Sequence, residues 1–200
     1  MSASHYPGGY DWFYTVVSDL ASQKHNPAGS IWFAGALSLS MVLLWPYVST
    51  LKQGMRSSLS ASRYTIGALR LGLICGALVG IERLLVHDIS AWLHKSHEAV
   101  ALITFLCWYF GIIGLLIQVM LRHRIYAFPA LIVVFPLLAI GITDFLLYLE
   151  QRDLGWVDAS WREMGVPIWL SFAFWQWLAV GFLWVGLGLL LMAFSDEARG

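Results

Sequence analysis

Five stretches of mostly apolar residues dominate the sequence, and they constrain the fold more than any other feature. A helix needs about 20 such residues to cross the hydrocarbon core of a bilayer. The stretches are too long and too little alternating for barrel strands, and an open-edged sheet is unstable in lipid. The sequence therefore predicts an all-α fold, a polytopic integral membrane protein. Its five-transmembrane-helix bundle is expected over about 30–51, 64–86, 98–121, 126–149 and 167–194.

Charge and composition agree with this prediction. Charged residues make up 12% of the chain and hydrophobic residues 59%, whereas soluble domains carry roughly 25% charged residues. The formal net charge is zero and no basic run exists, so nucleic acid is not an expected partner. The two cysteines, Cys75 and Cys107, fall inside apolar stretches and are interpreted as core residues without a disulfide.

Basic residues in the short loops predict an orientation. Two loops on the same side carry most of the unaccompanied cations, namely Lys52, Arg56, Arg63, Arg122 and Arg124. The positive-inside rule makes that side cytoplasmic, so the N-terminus is expected outside and the C-terminus inside. The expected location is a bacterial plasma (inner) membrane. No cleavable signal peptide is predicted, because the first residues lack a basic region followed by an apolar core.

The residues before the first span form a segment of their own within a single membrane domain of residues 1–200. Residues 10–30 are aromatic and partly apolar, but too short and interrupted to span. We predict that segment 1–29 lies at the outer interface as a short helix and turns at Asn26-Pro27 into the first span. It serves either as an anchor or as a lid over polar groups.

Small residues mark the helix contacts. Ala68, Gly72, Gly76 and Gly80 form a stripe on the second span, where close backbone approach drives packing in lipid. This predicts that the second span is central to the bundle, with a homodimer contact as the alternative. On the third span a polar position recurs every seven residues, at His97, Thr104, Gly111 and Gln118. This repeat predicts a buried seam along one face of the helix.

Ionisable residues inside spans are costly and need partners. Arg83 lies on the glycine face of the second span and Asp144 at similar depth on the fourth, so we predict that they pair. The pair either fixes helix register or belongs to a substrate or proton site. The candidate polar site comprises Arg83, Asp144, His97, Glu82, Gln176 and Asp19.

Few residues in the sequence indicate a metal or cofactor site. His94 and His97 are three residues apart and His87 precedes them, but no standard zinc spacing is matched. The prediction is that no metal and no cofactor is bound. A Ser/His/Asp set can be written from Ser18, His97 and either Asp144 or Asp19, but no nucleophile elbow accompanies it, so no catalytic residue is assigned.

The outer segment carries a family resemblance. Ser18-Asp19-Leu20, a polar spacer and Asn26-Pro27 resemble the first outer loop of DRAM/Sfk-type membrane proteins and of a related prokaryotic family of multi-span proteins. A histidine at the start of a middle helix, His94 or His97, is similar too. The usual six-span pattern of those families has one span before this loop. The resemblance implies a role in lipid homeostasis or trafficking, without a catalytic site.

Two functions are compatible with these features. The first is a non-catalytic protein that interacts with lipid or serves as a subunit of a membrane assembly. Its partners are the lipid bilayer, other membrane subunits or a second copy of the chain. The alternative is a membrane enzyme or small transporter with its site in the outer third of the bundle.

Overall fold

The computed structural model of the chain describes residues 1–22, 25–54, 60–85, 91–151, 167 and 171–197. Over these residues the chain is helical and contains no strand. A single 3-10 turn, Ala3–His5, precedes the α-helices. These are α1 (Val17–Ala21), α2 (Ser30–Gly54), α3 (Ser60–Leu85), α4 (Ala91–Arg122), α5 (Arg124–Gln151) and α6 (Phe172–Glu197).

Helices α2 to α6 are each long and apolar enough to cross a membrane, which confirms the predicted number of such helices. Several begin or end away from the predicted edges. Helix α4 begins at Ala91, before Glu98, and α6 begins at Phe172, after Pro167. A helix can extend past its apolar part because its backbone hydrogen bonds do not depend on the side chains. Hydropathy therefore marks the apolar part and not the helix end.

Helix α4 packs against three other long helices. It contacts α3, α5 and α6, while α3 lies between α2 and α4, and α6 also contacts α2. Ile112, Leu115 and Leu116 of α4 are fully buried. That the second span is central stays a prediction; α3 packs extensively against both α2 and α4. The small residues of α3 favour two close contacts, and the rest of that helix exposes large apolar side chains such as Leu71 and Leu78.

The glycines of α3 lie at these two contacts. Gly72 lies against Trp108 and Cys107 of α4, and Gly80 lies against Ser38 and the Ala34 carbonyl of α2. Gly76, between them, lies against both neighbours, through Met41 and Thr104. The absence of a side chain at these positions permits the close approach of the helices.

The seam predicted on the third span is confirmed for its described side chains. Gly111 lies against Leu69 of α3, and Thr104 lies against Gly76. Gln118 is buried, and Ser62 Oγ donates a hydrogen bond of 2.5 Å to its Oε1. The Gln118 amide donates in turn to the Gly114 carbonyl at 3.1 Å. A polar pair is thus satisfied within the α3–α4 contact.

Large apolar side chains cover the outside of the bundle. Exposed examples occur on every long helix: Leu43, Leu71, Leu78, Leu102, Phe110, Phe135, Leu138, Trp184 and Leu191. An apolar surface on all sides far exceeds what a monomer keeps in contact with water. The end of the bundle that carries residues 1–29 is called the outer end, and the opposite one is called the inner end.

Candidate functional site at the N-terminal segment

The described part of residues 1–29, the N-terminal segment, folds back on the outer ends of α2 and α6. The buried side chain of Asn26 holds the segment together. Its amide nitrogen donates to Ser2 Oγ at 3.0 Å and to the Leu20 carbonyl at 3.2 Å, and its oxygen accepts from the Gly29 N–H at 3.1 Å. One side chain therefore connects the start of the chain, α1 and the entry to α2.

Asp19 contacts a neighbour within the same segment. Its Oδ1 lies 2.9 Å from His25 Nδ1. The carboxylate side chain is 24% exposed and the imidazole 47% exposed, so water screens this contact. The pair fixes the local path of the loop between α1 and α2 and contributes little free energy of folding.

Gln176 of α6 reaches the same segment. Its Oε1 accepts a hydrogen bond of 3.3 Å from the N–H of Val17, the first residue of α1. The first N–H groups of a helix have no partner within it, so this contact satisfies one of them. Two predicted site residues, Asp19 and Gln176, are thus brought to the N-terminal segment.

A second set of hydrogen bonds surrounds Tyr10. Its hydroxyl donates to the Thr15 carbonyl at 2.8 Å, and Trp177 Nε1 of α6 donates to the Tyr10 oxygen at 3.3 Å. Burial and the charge of Asp19 raise the pKa of Tyr10, while the Trp177 hydrogen bond acts in the opposite direction. The phenol therefore stays a neutral donor well beyond neutral pH.

An aromatic groove lies between the segment and α6. Trp12, Phe13, Phe174, Trp177 and Leu178 line a shallow, largely open depression with a volume of about 310 Å³. The ring centroids of Trp12 and Trp177 are 4.9 Å apart, and Ser171 Oγ donates to the Phe13 carbonyl. These contacts hold the segment on α6, while Trp12 and Phe13 remain half exposed.

Of the remaining predicted site residues, Glu82 has a described side chain, and the others are placed only by their backbones or lie outside the described part. Glu82 is half-buried near the outer end of α3. Helices α3 and α5, which carry Arg83 and Asp144, are separated by α4. The predicted Arg83–Asp144 pair stays a prediction, since these side chains lie outside the described residues. The same holds for the side chains of Ser18, His94 and His97, and for the whole of His87.

Metal binding finds no support within the described ranges. No group of three or more His, Cys, Asp or Glu residues there is placed to hold a metal ion. Cys75 and Cys107 are free thiols. The described lining of this site is apolar, and hydrogen bonds position the N-terminal segment beside it.

The predicted site residues do not include Arg70, although the structure gives it an unusual environment. It lies within α3, and its guanidinium carbon is 5.7 Å from the ring centroid of Trp45 on α2. Its Nε is buried and has no hydrogen-bond partner in the described chain. A lone arginine inside an apolar stretch is the sequence signal that points to it.

No protein-family model, no curated protein and no solved structure matches this chain.

Proposed function

We propose that this chain is a non-catalytic integral membrane protein that holds part of a lipid in the aromatic groove at its outer end. The groove is the observation that carries the proposal. Five helices of sufficient length and an apolar surface on all sides support insertion into a bilayer. Water-facing helices of this composition would leave most of their side chains unfavourably hydrated.

The chemistry of the groove favours a hydrocarbon occupant. Its lining consists of aromatic and aliphatic side chains with no charged group. Its volume of about 310 Å³ is at the lower end of the range for small-molecule sites. Tryptophan rings prefer the boundary between headgroups and acyl chains, where the upper part of an acyl chain is available. An acyl chain of a surrounding lipid is therefore the proposed occupant.

The proposal includes an orientation. The described cations at the inner end are Lys52, Arg63, Arg122 and Arg124. By the positive-inside rule, the inner end faces the cytoplasm and the N-terminal segment faces the outside. We propose the plasma membrane of a bacterium as its location. A role in lipid homeostasis, implied by the resemblance of the segment around Ser18-Asp19-Leu20 to DRAM/Sfk-type proteins, is consistent with a lipid-binding groove.

Photo-cross-linking tests the groove directly. Phe13 is replaced by p-benzoylphenylalanine in membrane-embedded protein, which is illuminated and analysed by mass spectrometry. Tyr14 provides the matched control, because it is adjacent and equally exposed (52% against 50%) but is not part of the lining. We expect a lipid adduct at position 13 and little or none at position 14. Equal adducts at both positions, or none at position 13, would contradict the proposal.

A membrane enzyme or small transporter stays the alternative prediction. It depends on Arg83, Asp144 and His97, whose side chains lie outside the described residues. Asp144→Asn separates the two functions. Loss of a cellular activity at normal protein level favours a working polar site, whereas an unchanged phenotype favours the non-catalytic role.

A further inference from the structure

Helices α2 and α3 run antiparallel, and their contacts define a register. Starting at the outer end, Gly80 lies against Ser38 and Gly76 against Met41, and further inward Arg70 lies over Trp45. Two more turns along each helix bring Arg63 of α3 level with Lys52 of α2. The inner half of the α2–α3 groove is therefore bordered by Trp45 and Lys52 on one side and by Arg70 and Arg63 on the other.

The residues on each side share a helix face. Lys52 follows Trp45 by seven residues and Arg63 precedes Arg70 by seven, which is close to two full turns. The groove is tight at the outer end, where Gly80 and Ala34 are buried, and open at the inner end. There Lys52 and Arg63 are exposed and Trp45 is 41% exposed.

The charge of this groove has no nearby counterpart in the two helices. The sequence contains no Asp or Glu between Asp19 and Glu82, a stretch that includes all of α2 and most of α3. Glu82 itself lies at the opposite, outer end of α3. The three cations therefore produce a local positive potential that no neighbouring acid of either helix offsets. A groove of this kind attracts an anion.

Arg70 gives the anion site its position. Its Nε is shielded from solvent and lacks a hydrogen-bond acceptor in the described chain. An arginine at this depth is costly in a bilayer unless its guanidinium reaches the headgroup level or finds an acceptor. The planar guanidinium can donate two parallel hydrogen bonds to two oxygens of a phosphate. Its contact with the Trp45 ring restricts its orientation.

We propose that the inner half of the α2–α3 groove binds the headgroup phosphate of an anionic glycerophospholipid. Arg70 contacts the phosphate, Lys52 and Arg63 supply the surrounding positive potential, and the exposed apolar side chains of α2 and α3 contact the acyl chains. This inference rests on the proposed membrane insertion but not on the aromatic groove, which lies at the opposite end of the bundle.

Native mass spectrometry of the full chain in detergent tests the site. The protein is titrated with phosphatidylglycerol or with phosphatidylcholine, and the apparent Kd of each is measured. We expect a preference for phosphatidylglycerol that Arg70→Gln weakens about tenfold, because it loses a charged, two-oxygen contact. Arg124→Gln is the matched control, since it removes an exposed arginine at the same end of the bundle but outside the groove. It should change the affinity by less than about twofold.

A double variant, Lys52→Gln with Arg63→Gln, keeps the test decisive if Arg70→Gln does not fold. Both side chains are exposed, so the fold tolerates their replacement. We expect the double variant to lose part of its preference for phosphatidylglycerol. The Arg124→Gln variant should retain that preference. Millimolar inorganic phosphate should not displace the lipid. The proposal is overturned by equal losses in Arg70→Gln and Arg124→Gln, by an unchanged double variant, by displacement with free phosphate, or by no lipid preference in the parent chain. None of these outcomes bears on cross-linking at Phe13, so the two proposals fail separately.

Discussion

Asn26 is a single buried amide with partners in three parts of the N-terminal segment. Asn26→Ala leaves the Gly29 N–H without its side-chain acceptor, removes one of the two side-chain donors to the Leu20 carbonyl, and creates a cavity. We expect a loss of about 1–3 kcal/mol in the free energy of unfolding of this region. Hydrogen exchange at residues 16–22 measures it. The matched control is His25→Ala, which removes a half-exposed contact to Asp19 worth about 0–1 kcal/mol. Equal losses in the two variants would show that Asn26 is not the central contact.

Tyr10 makes the docking of the N-terminal segment sensitive to alkaline pH. Its folded-state pKa is raised by burial, above the ordinary value of 10.0, so the docked state binds the phenol proton more tightly than the undocked state. The stabilisation is complete below pH 10 and is lost as the pH rises through the raised pKa, because a phenolate cannot donate to the Thr15 carbonyl.

A probe on the segment measures this effect. A nitroxide attached at Ser4→Cys, in a background with Cys75 and Cys107 replaced by Ala, should become more mobile above pH 10. Tyr10→Phe should be more mobile at neutral pH as well, with a smaller further change at high pH. Identical pH profiles for the parent and Tyr10→Phe would assign the transition to another group.

At the scale of the helices, the glycines of α3 provide a graded test of packing. A Cβ at Gly72 would lie 2.5 Å from Trp108 Cδ1 and 3.2 Å from Cys107 Cβ, whereas nothing lies within 4 Å of one at Gly67. Gly72→Ala should therefore cost about 1–3 kcal/mol by forcing α3 and α4 apart. Gly67→Ala in the same helix should be neutral or stabilising by up to about 1 kcal/mol. Thermal unfolding in detergent compares them, and similar midpoints for the two variants would contradict the α3–α4 contact.

The sequence predicts the elements better than their arrangement. Hydropathy is a local property, so the five apolar helices are predictable from length and composition. The seam of Thr104, Gly111 and Gln118 is also predictable, because small and polar residues at a helical repeat face a neighbour in lipid. Which helices pack against α4 is not predictable in this way, since apolar residues that face lipid and those that face three other helices have the same composition.

In the candidate site, too, the residues are easier to predict from sequence than their contacts. Asp19 and Gln176 are predicted as members of one polar cluster, but their contacts are to His25 and to the backbone of Val17. The Gln176 contact depends on how the N-terminal segment folds back on α6, which is 159 residues away along the chain. Arg70, in contrast, is detectable from sequence as a cation within an apolar stretch, and only its position over Trp45 requires the structure.

At the scale of the whole molecule, the described residues form two chemically different ends. The outer end has aromatic rings and a folded N-terminal segment, and the inner end has exposed cations on α2, α3 and α5. The aromatic outer end can contact acyl chains close to the headgroups, and the cationic inner end can bind an anionic phosphate. If both proposals hold, the protein contacts lipid in both leaflets, through acyl chains on one side and headgroups on the other.

This arrangement requires a defined orientation, which labelling in intact cells tests. Single cysteines are introduced at Ser4 of the outer end or at Arg124 of the inner end, both exposed, in the background with Cys75 and Cys107 replaced by Ala. A membrane-impermeant maleimide should label position 4 in intact cells and position 124 only after permeabilisation. The reason is that Lys and Arg in short loops are retained on the cytoplasmic side during insertion. Labelling of position 124 alone would reverse the orientation, and labelling of both in intact cells would argue against a bilayer-spanning bundle.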